Sequence, residues 1–192
     1  MHTTNDLPRC SWARGELLAT YHDNEWGVPT QDENRLYELL LLEAFQAGLS
    51  WQVILSKRDN FRRAFDNFQA HQIARYGEDK IDALMKDAGI VRCRRKIEGA
   101  ILNAQVYLDI CREYGSFAAY LYSFTEDGKP VVNHGAPVTT SPISDRMSAD
   151  LRKRGMKYMG SVTVYSYLQA IGLVDDHEAH CFRRSPVEGQ HV

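Results

Sequence analysis

Between Asp32 and Ala47 the chain carries Leu36, Leu39, Leu40, Leu41, Leu42 and Phe45, so a helix here would be apolar on nearly every side. Such a helix is stable only when surrounded, which makes it central and obliges the rest of the chain to supply a shell around it. Asp32 is placed to cap its start. The shell is legible as further helical spacing. Residues 51–55 continue as a short helix. Residues 78–88 carry Ile81, Leu84 and Met85 one turn apart, with Gly89 suited to the C-terminal cap. Over 94–114, Ile97, Ile101, Ala104, Tyr107, Leu108 and Cys111 form one stripe, and Ser116 can cap 117–124. Ser144 is read as the cap of a basic helix to about 154 with Met147 and Leu151 facing inward, and a last apolar helix runs over 161–171 until Gly172. Strand-like alternation is absent almost everywhere. The expected fold is all-α, a single domain over 1–192, with a long polar loop at 125–144 punctuated by Gly128, Pro130, Gly135, Pro137 and Pro142.

At 44% hydrophobic and 25% charged residues the chain can bury a core, and no apolar run approaches the roughly 18 residues of a membrane span. The polar start, 1–8, lacks the apolar centre of a signal peptide, so a cytoplasmic location is expected. In that setting Cys10, Cys93, Cys111 and Cys181 read as thiols or metal ligands rather than disulfides. A net charge of −2 argues against indiscriminate nucleic-acid binding and leaves local basic patches open.

Two constellations stand out. Cys10 and His22 near one end, with His177 and Cys181 near the other, form a Cys2His2 set, and the last two are one helical turn apart. Such a set matches a closed structural zinc site. Equally, the cysteines could be small core residues and the histidines helix caps, and His180 rivals His177. No signature of a catalytic zinc site is present. The second constellation is aromatic and acidic. Trp12 and the run from Tyr21 through Asp23, Asn24 and Glu25 to Trp26 precede Glu43 and Trp51. Glu43 lies on the most apolar helix, where an unpaired carboxylate costs several kcal/mol and needs either a partner or a task. For Trp12 and Trp26, core packing explains their presence as readily as ligand contact does.

Taken in order, Arg9-Cys10-Ser11-Trp12, the run Tyr21 to Pro29, Gln46-Ala47-Gly48-Leu49-Ser50-Trp51, Asp87-Ala88-Gly89-Ile90, Lys153-Arg154-Gly155 and Gly172 to His177 resemble the 3-methyladenine DNA glycosylase I family of the helix-hairpin-helix glycosylase superfamily. The likeness spans about 9–181; Phe45-Gln46 and Ala179-His180 depart mildly from it, and 182–192 has no firm match and is read as a disordered tail. The resemblance implies structural zinc on Cys10, His22, His177 and Cys181. It further implies hydrogen bonding of the excised base by Glu43, stacking on it by Tyr21 and Trp51, and Trp26 lining the same pocket. Gly48 and Leu49 would fill the gap left by the everted nucleotide. A helix-hairpin-helix at about 145–172, with Arg154, Gly155, Lys157 and Gly160, would grip the DNA backbone. Arg92, Arg94, Arg95 and Lys96 form a second basic cluster, either phosphate-binding or simply solvated.

The implied activity is hydrolytic release of 3-methyladenine from double-stranded DNA by a monomer, without lyase chemistry. Methylation at N3 makes the base a cation and a good leaving group, so the enzyme needs discrimination more than acid catalysis. Asp176 stands near the position of the superfamily's catalytic Asp, but beside His177 it reads better as a residue orienting that metal ligand. Two other readings remain: a glycosylase for another alkylated purine, and a zinc-stapled damage-binding module without catalysis.

Overall fold

The computed structural model describes residues 7–133 and 138–185. Ten α-helices are formed among them: α1 (Glu16–Asn24), α2 (Glu33–Gln46), α3 (Trp51–Ser56), α4 (Arg58–Ala64), α5 (Ala70–Ile73), α6 (Glu78–Lys86), α7 (Arg94–Tyr114), α8 (Phe117–Tyr122), α9 (Pro142–Lys153) and α10 (Ser161–Ala170). The residues Val131–Val132 (β1) and Val174–Asp175 (β2) pair in parallel. This short pairing crosses what the sequence suggested was an unstructured loop. It brings Asn133 beside Asp176.

As its pattern required, α2 is the axis of the molecule. Every residue from Leu36 to Phe45 is buried, Asp32 caps the helix by accepting from the Arg35 amide at 2.7 Å, and α3, α7, α8 and α10 pack around it. Two polar residues are carried into this core, Glu38 and Glu43, and they fare differently. Glu38 Oε1 accepts from Arg58 Nε at 2.5 Å and from Arg62 Nη2 at 2.9 Å. Arg58 also donates to Glu25, which pairs with Arg35. That cluster ties α1, α2 and α4 together.

The helix at the start of the last hairpin begins earlier than its spacing suggested. Ser141, not Ser144, is the cap; Ser144 occupies the third position and its hydroxyl oxygen accepts from the Ser141 amide, closing a capping box with Pro142 in the first turn. A turn through Gly155 to Gly160 then leads into α10. Gly155 has φ +104, a conformation that disfavours any side chain, and Asn103 of α7 clamps the turn by bonding both the amide and the carbonyl of Lys157.

The two ends of the chain meet. The Phe182 amide donates to the Pro8 carbonyl, the Ser185 amide to Asp175 Oδ2, and Arg184 to the His177 carbonyl. Of the tail expected to be disordered, 182–185 is therefore held in place, while 186–192 lies outside the described residues. No helix among the described residues is long and apolar enough to cross a membrane.

Candidate active site and metal centre

Where the ends meet, Cys10, His22, His177 and Cys181 are all buried, and their ligating atoms lie within 4.8 Å of one another. Cys181 Sγ is 3.3 Å from His22 Nε2, and His177 Nδ1 is 3.5 Å from both sulfurs. A tetrahedron with metal–sulfur bonds of ~2.3 Å and metal–nitrogen bonds of ~2.05 Å has sulfur–nitrogen edges of about 3.5 Å. The donor set thus already has the dimensions of a cation cage.

Its surroundings match. His22 Nδ1 bonds Asp23, which is gripped by Arg9 through two nitrogens, so the ring is fixed with Nε2 inward. Each sulfur also accepts a backbone amide, from Glu178 for Cys10 and from Arg183 for Cys181. Burial pushes the Cys10 thiol up to about 12 and holds the His177 imidazole down at about 4. A neutral imidazole is ready to ligate, and a bound dication is what would convert a buried thiol to thiolate. His180, the rival ligand, points elsewhere and bonds the Arg9 carbonyl. Gly27, with φ +76, is required here, because a Cβ at that position would stand 2.6 Å from His177 Nε2.

Aromatic rings run from this cage into a cleft. Trp26 stacks on His22, with ring centroids 5.9 Å apart at 22°, and meets His177 edge-on at 4.5 Å; Trp12 packs edge-on against both His22 and Trp26. The far sides of these rings, with Tyr21, Glu43, Gln46, Trp51, Ser166 and Gln169, line a cavity of about 290 Å3. That is near the small end of the range for ligand pockets, about 300–1,000 Å3. Local sequence explains the placement. Tyr21 and His22 are consecutive on α1, so one side chain serves the cleft and the next serves the cage. Glu43 and Gln46 are one turn apart at the end of α2, and Ser166 and Gln169 are one turn apart on α10.

What distinguishes the cleft is unsatisfied polarity. Five buried side-chain polar atoms among the described residues have no hydrogen-bond partner, and three of them, Tyr21 Oη, Glu43 Oε2 and Trp51 Nε1, belong to this wall. Glu43 has no ion pair among the described residues, and burial pushes its carboxyl up to about 8. Buried polar groups are almost always paired, so a cluster of orphans in a concave aromatic site marks atoms kept for a ligand. Tyr21 and Trp51 stand 5.5 Å apart at 52°. Two rings that sandwich a third must be about 7 Å apart, twice a carbon contact distance. The pair is thus a closed wedge, which must open for a ring to lie between them.

The other residues singled out from the sequence are dispersed around this cleft. Gly48 and Leu49 form an exposed turn between Gln46 and Trp51, at its rim. Lys157 and Gly160 line a surface hollow with Arg152, Lys153, Met156 and Tyr158. Gly160 precedes α10 without any side-chain cap, so the amides of the first turn are uncapped by a side chain. Arg154 is engaged within the fold. Its guanidinium is bound by Glu113 at 2.5 Å and Asp150 at 2.6 Å over the rings of Tyr114 and Tyr120, which makes it a brace within the fold. In the second basic cluster Arg94 is paired with Glu78, Asp82 and Glu98, and Lys96 bonds the Phe45 and Ala47 carbonyls at the end of α2. Asp176 does not touch the His177 ring; its carboxylate receives Asn133, Tyr165 and Gln169. Asp23 is the residue that orients a cage histidine. Gln46, Ser166 and Gln169 went unnoticed as site residues. The available signal was polar residues one turn apart on otherwise apolar helices.

A helical frame that holds a buried, unpaired carboxyl among flat aromatic faces defines a protein built to take up a planar ligand with hydrogen-bond donors or positive charge. The comparisons with known proteins narrow that class: the methyladenine glycosylase family profile matches residues 12–184, and the chain belongs to that family. It is similar to DNA-3-methyladenine glycosylase 1 of Escherichia coli (strain K12), 40% identical over 180 residues, which span 91% of this chain and 96% of that protein. A crystal structure of 3-methyladenine DNA glycosylase I matches with a TM-score of 0.88 at 41% identity, covering 93% of this chain and 100% of that one. A Tyr-to-Phe variant of 3-methyladenine DNA glycosylase I, in complex with 3-methyladenine, matches with a TM-score of 0.87 at 36% identity, covering 93% of this chain and 98% of that one.

Proposed function

We propose that the protein is a DNA-3-methyladenine glycosylase, which hydrolyses the N-glycosidic bond of an everted 3-methyladenine in double-stranded DNA. The observation that carries this reading is the Glu43 carboxyl, buried without a partner in an aromatic cleft. A base inside a duplex is out of reach of any such cleft, so the nucleotide must leave the stack. The base then enters between Tyr21 and Trp51 as Trp51, the less buried of the two, rotates outward. Trp26 closes the side nearest the cage.

In DNA the lesion is a cation. Aromatic faces favour it over a neutral purine by about 1–2 kcal/mol when desolvated. Its charge also ionises Glu43, and the carboxylate accepts hydrogen bonds from the base's donor edge. These contacts favour the damaged base over intact ones. The bond between the sugar's anomeric carbon and the base then breaks, its electron pair neutralising the departing purine. Water adds its oxygen to that carbon and loses a proton. No lysine takes part, so the enzyme is monofunctional.

Cys10, His22, His177 and Cys181 hold zinc in this reading. Bound there, it would favour the thiolate form of Cys10 and Cys181 and would tie the two chain ends together. The α9–turn–α10 unit is assigned as the helix-hairpin-helix. Phosphate meets the uncapped amides after Gly160 and the charge of Lys157, while Leu49, on the Gly48 turn, enters the vacated stack. The protein acts as a cytoplasmic monomer with a single domain. Incubation with methylated duplex DNA tests the reading. Free 3-methyladenine, identified by chromatography, is expected from the unaltered protein, with release falling by about 10²–10³-fold in Glu43→Gln. Borohydride should trap no protein–DNA adduct. An unchanged rate in Glu43→Gln, or a trapped adduct, contradicts it.

A further inference from the structure

Glu43 is not the only polar side chain that lines this cleft. Gln169 lines it too, and its amide is not free to turn. Asp176 is a carboxylate fixed from three sides: Oδ1 receives Asn133 Nδ2 at 2.6 Å, and Oδ2 receives the Tyr165 hydroxyl at 3.0 Å and Gln169 Nε2 at 2.8 Å. A carboxylate only accepts, so it selects the nitrogen end of the Gln169 amide. The carbonyl oxygen is thereby turned away from Asp176, and it accepts no hydrogen bond among the described residues. The backbone enforces the arrangement. Tyr165 and Gln169 are one turn apart on α10 and grip the carboxylate together, while the β1–β2 pairing, with the Asn133 amide on the Asp175 carbonyl at 2.8 Å, sets Asn133 on its other side.

We infer that Gln169 is a specificity-determining residue of the base pocket, and that Asp176 is its positioning residue and takes no part in bond cleavage. The inference rests on the proposed function, since it assumes that the cleft receives a methylated purine. Adenine carries an exocyclic amine, a donor, where guanine carries a carbonyl oxygen. An oriented Gln169 oxygen accepts from the first and repels the second. Asp176 therefore sets the choice between adenine-type and guanine-type lesions without touching either. Its two oxygens are already engaged by three donors, which leaves it poorly disposed to attack the sugar.

The test uses the full protein and two free bases, 3-methyladenine and 3-methylguanine, with binding followed by quenching of the cleft tryptophans. Gln169→Leu should lose about tenfold in affinity for 3-methyladenine and little or none for 3-methylguanine, so that selectivity falls while Tm stays close to that of the unaltered protein. Asp176→Asn lets the amide reverse and should show the same loss of selectivity. The double variant should lose no more than either single one. Equal losses for both bases in Gln169→Leu, additive losses in the double variant, or an Asp176→Asn protein with intact base selectivity but no excision would each overturn the inference. Should Asp176→Asn not fold, the selectivity of Gln169→Leu decides the matter alone. Binding of neither base by the unaltered protein would remove the proposed function itself, whereas normal binding with unchanged selectivity in Gln169→Leu removes only this inference.

Discussion

Glu38 and Glu43 lie on the same helix and are almost equally buried, at 6% and 4% exposure, yet one is closed by two arginines and the other by nothing. The contrast extends to their surroundings. The ion pairs at the Glu38 end of α2 and the Cys–His cage fasten elements together, although Tyr37 Oη and Arg58 Nη2 beside Glu38 also lack partners. The Glu43 end meets a cleft whose phenol, indole and carboxyl groups all lack partners. Desolvating a carboxyl without pairing it works against the fold, and a chain retains such a group where a ligand completes it. Aromatic rings join the two kinds of region, because Trp12 and Trp26 touch the cage histidines on one side and the cleft on the other.

If the cage is a fastening, breaking it should have the largest effect. Cys181→Ala, or removal of metal by a chelator, is expected to cost about 5 kcal/mol or more, on the order of 10–20 °C in Tm. Thermal unfolding with and without chelator checks it, and an unchanged Tm would place the cage among groups with no role in stability. Glu38→Gln comes next. It takes from the buried Arg58 one of its two counter-charges, Glu25 keeping the other, and a loss of about 3 kcal/mol in denaturant unfolding is expected.

Glu43→Gln should act in the opposite direction on stability, and this is the sharpest form of the contrast. Its folded-state carboxyl titrates near 8 against 4.5 when unfolded, so between those values the folded protein binds more protons and loses stability as pH rises. Replacing it should therefore stabilise the free protein by up to about 3 kcal/mol at pH 7, with the gain vanishing below about pH 4.5. For the same reason, pairing with a cationic base displaces the Glu43 proton. Affinity for methylated DNA relative to Glu43→Gln should climb with pH and level off above about 8. A flat difference across that range would break the link between burial and recognition. The smallest effect is expected at the wedge, where Trp51→Leu should weaken binding by about 1–2 kcal/mol through lost stacking and leave Tm nearly unchanged.

The frame was readable from the chain because helical periodicity is a local property, and the all-round apolar pattern of 32–47 left only a central position for that helix. The Ser141 cap was missed because Ser144 three residues later offers the same chemistry; the two form one reciprocal box, which sequence alone does not order. The parallel pair of β1 and β2 is two residues long, below the length at which alternation can register. In the site, the cage ligands and the residues Tyr21, Glu43 and Trp51 were recognised through their motifs, and the fold brings each set together. The pairing of Arg154 with the distant Glu113 was not legible, because a basic residue beside a glycine turn looks alike whatever it faces. Gln169 and Asp176 were illegible as a pair. Their hydrogen bond spans the turn between α10 and β2, and the Asn133 bond that completes the set depends on the β1–β2 pairing, a contact between distant segments that no local pattern announces.

The most direct measurement is a crystal structure of the protein with 3-methyladenine bound. The account predicts the ring between Tyr21 and Trp51, which open from 5.5 Å to about 7 Å, with Glu43 Oε2 within hydrogen-bonding distance of the base. A base seated elsewhere, or one that leaves Glu43 as solitary as before, would contradict it.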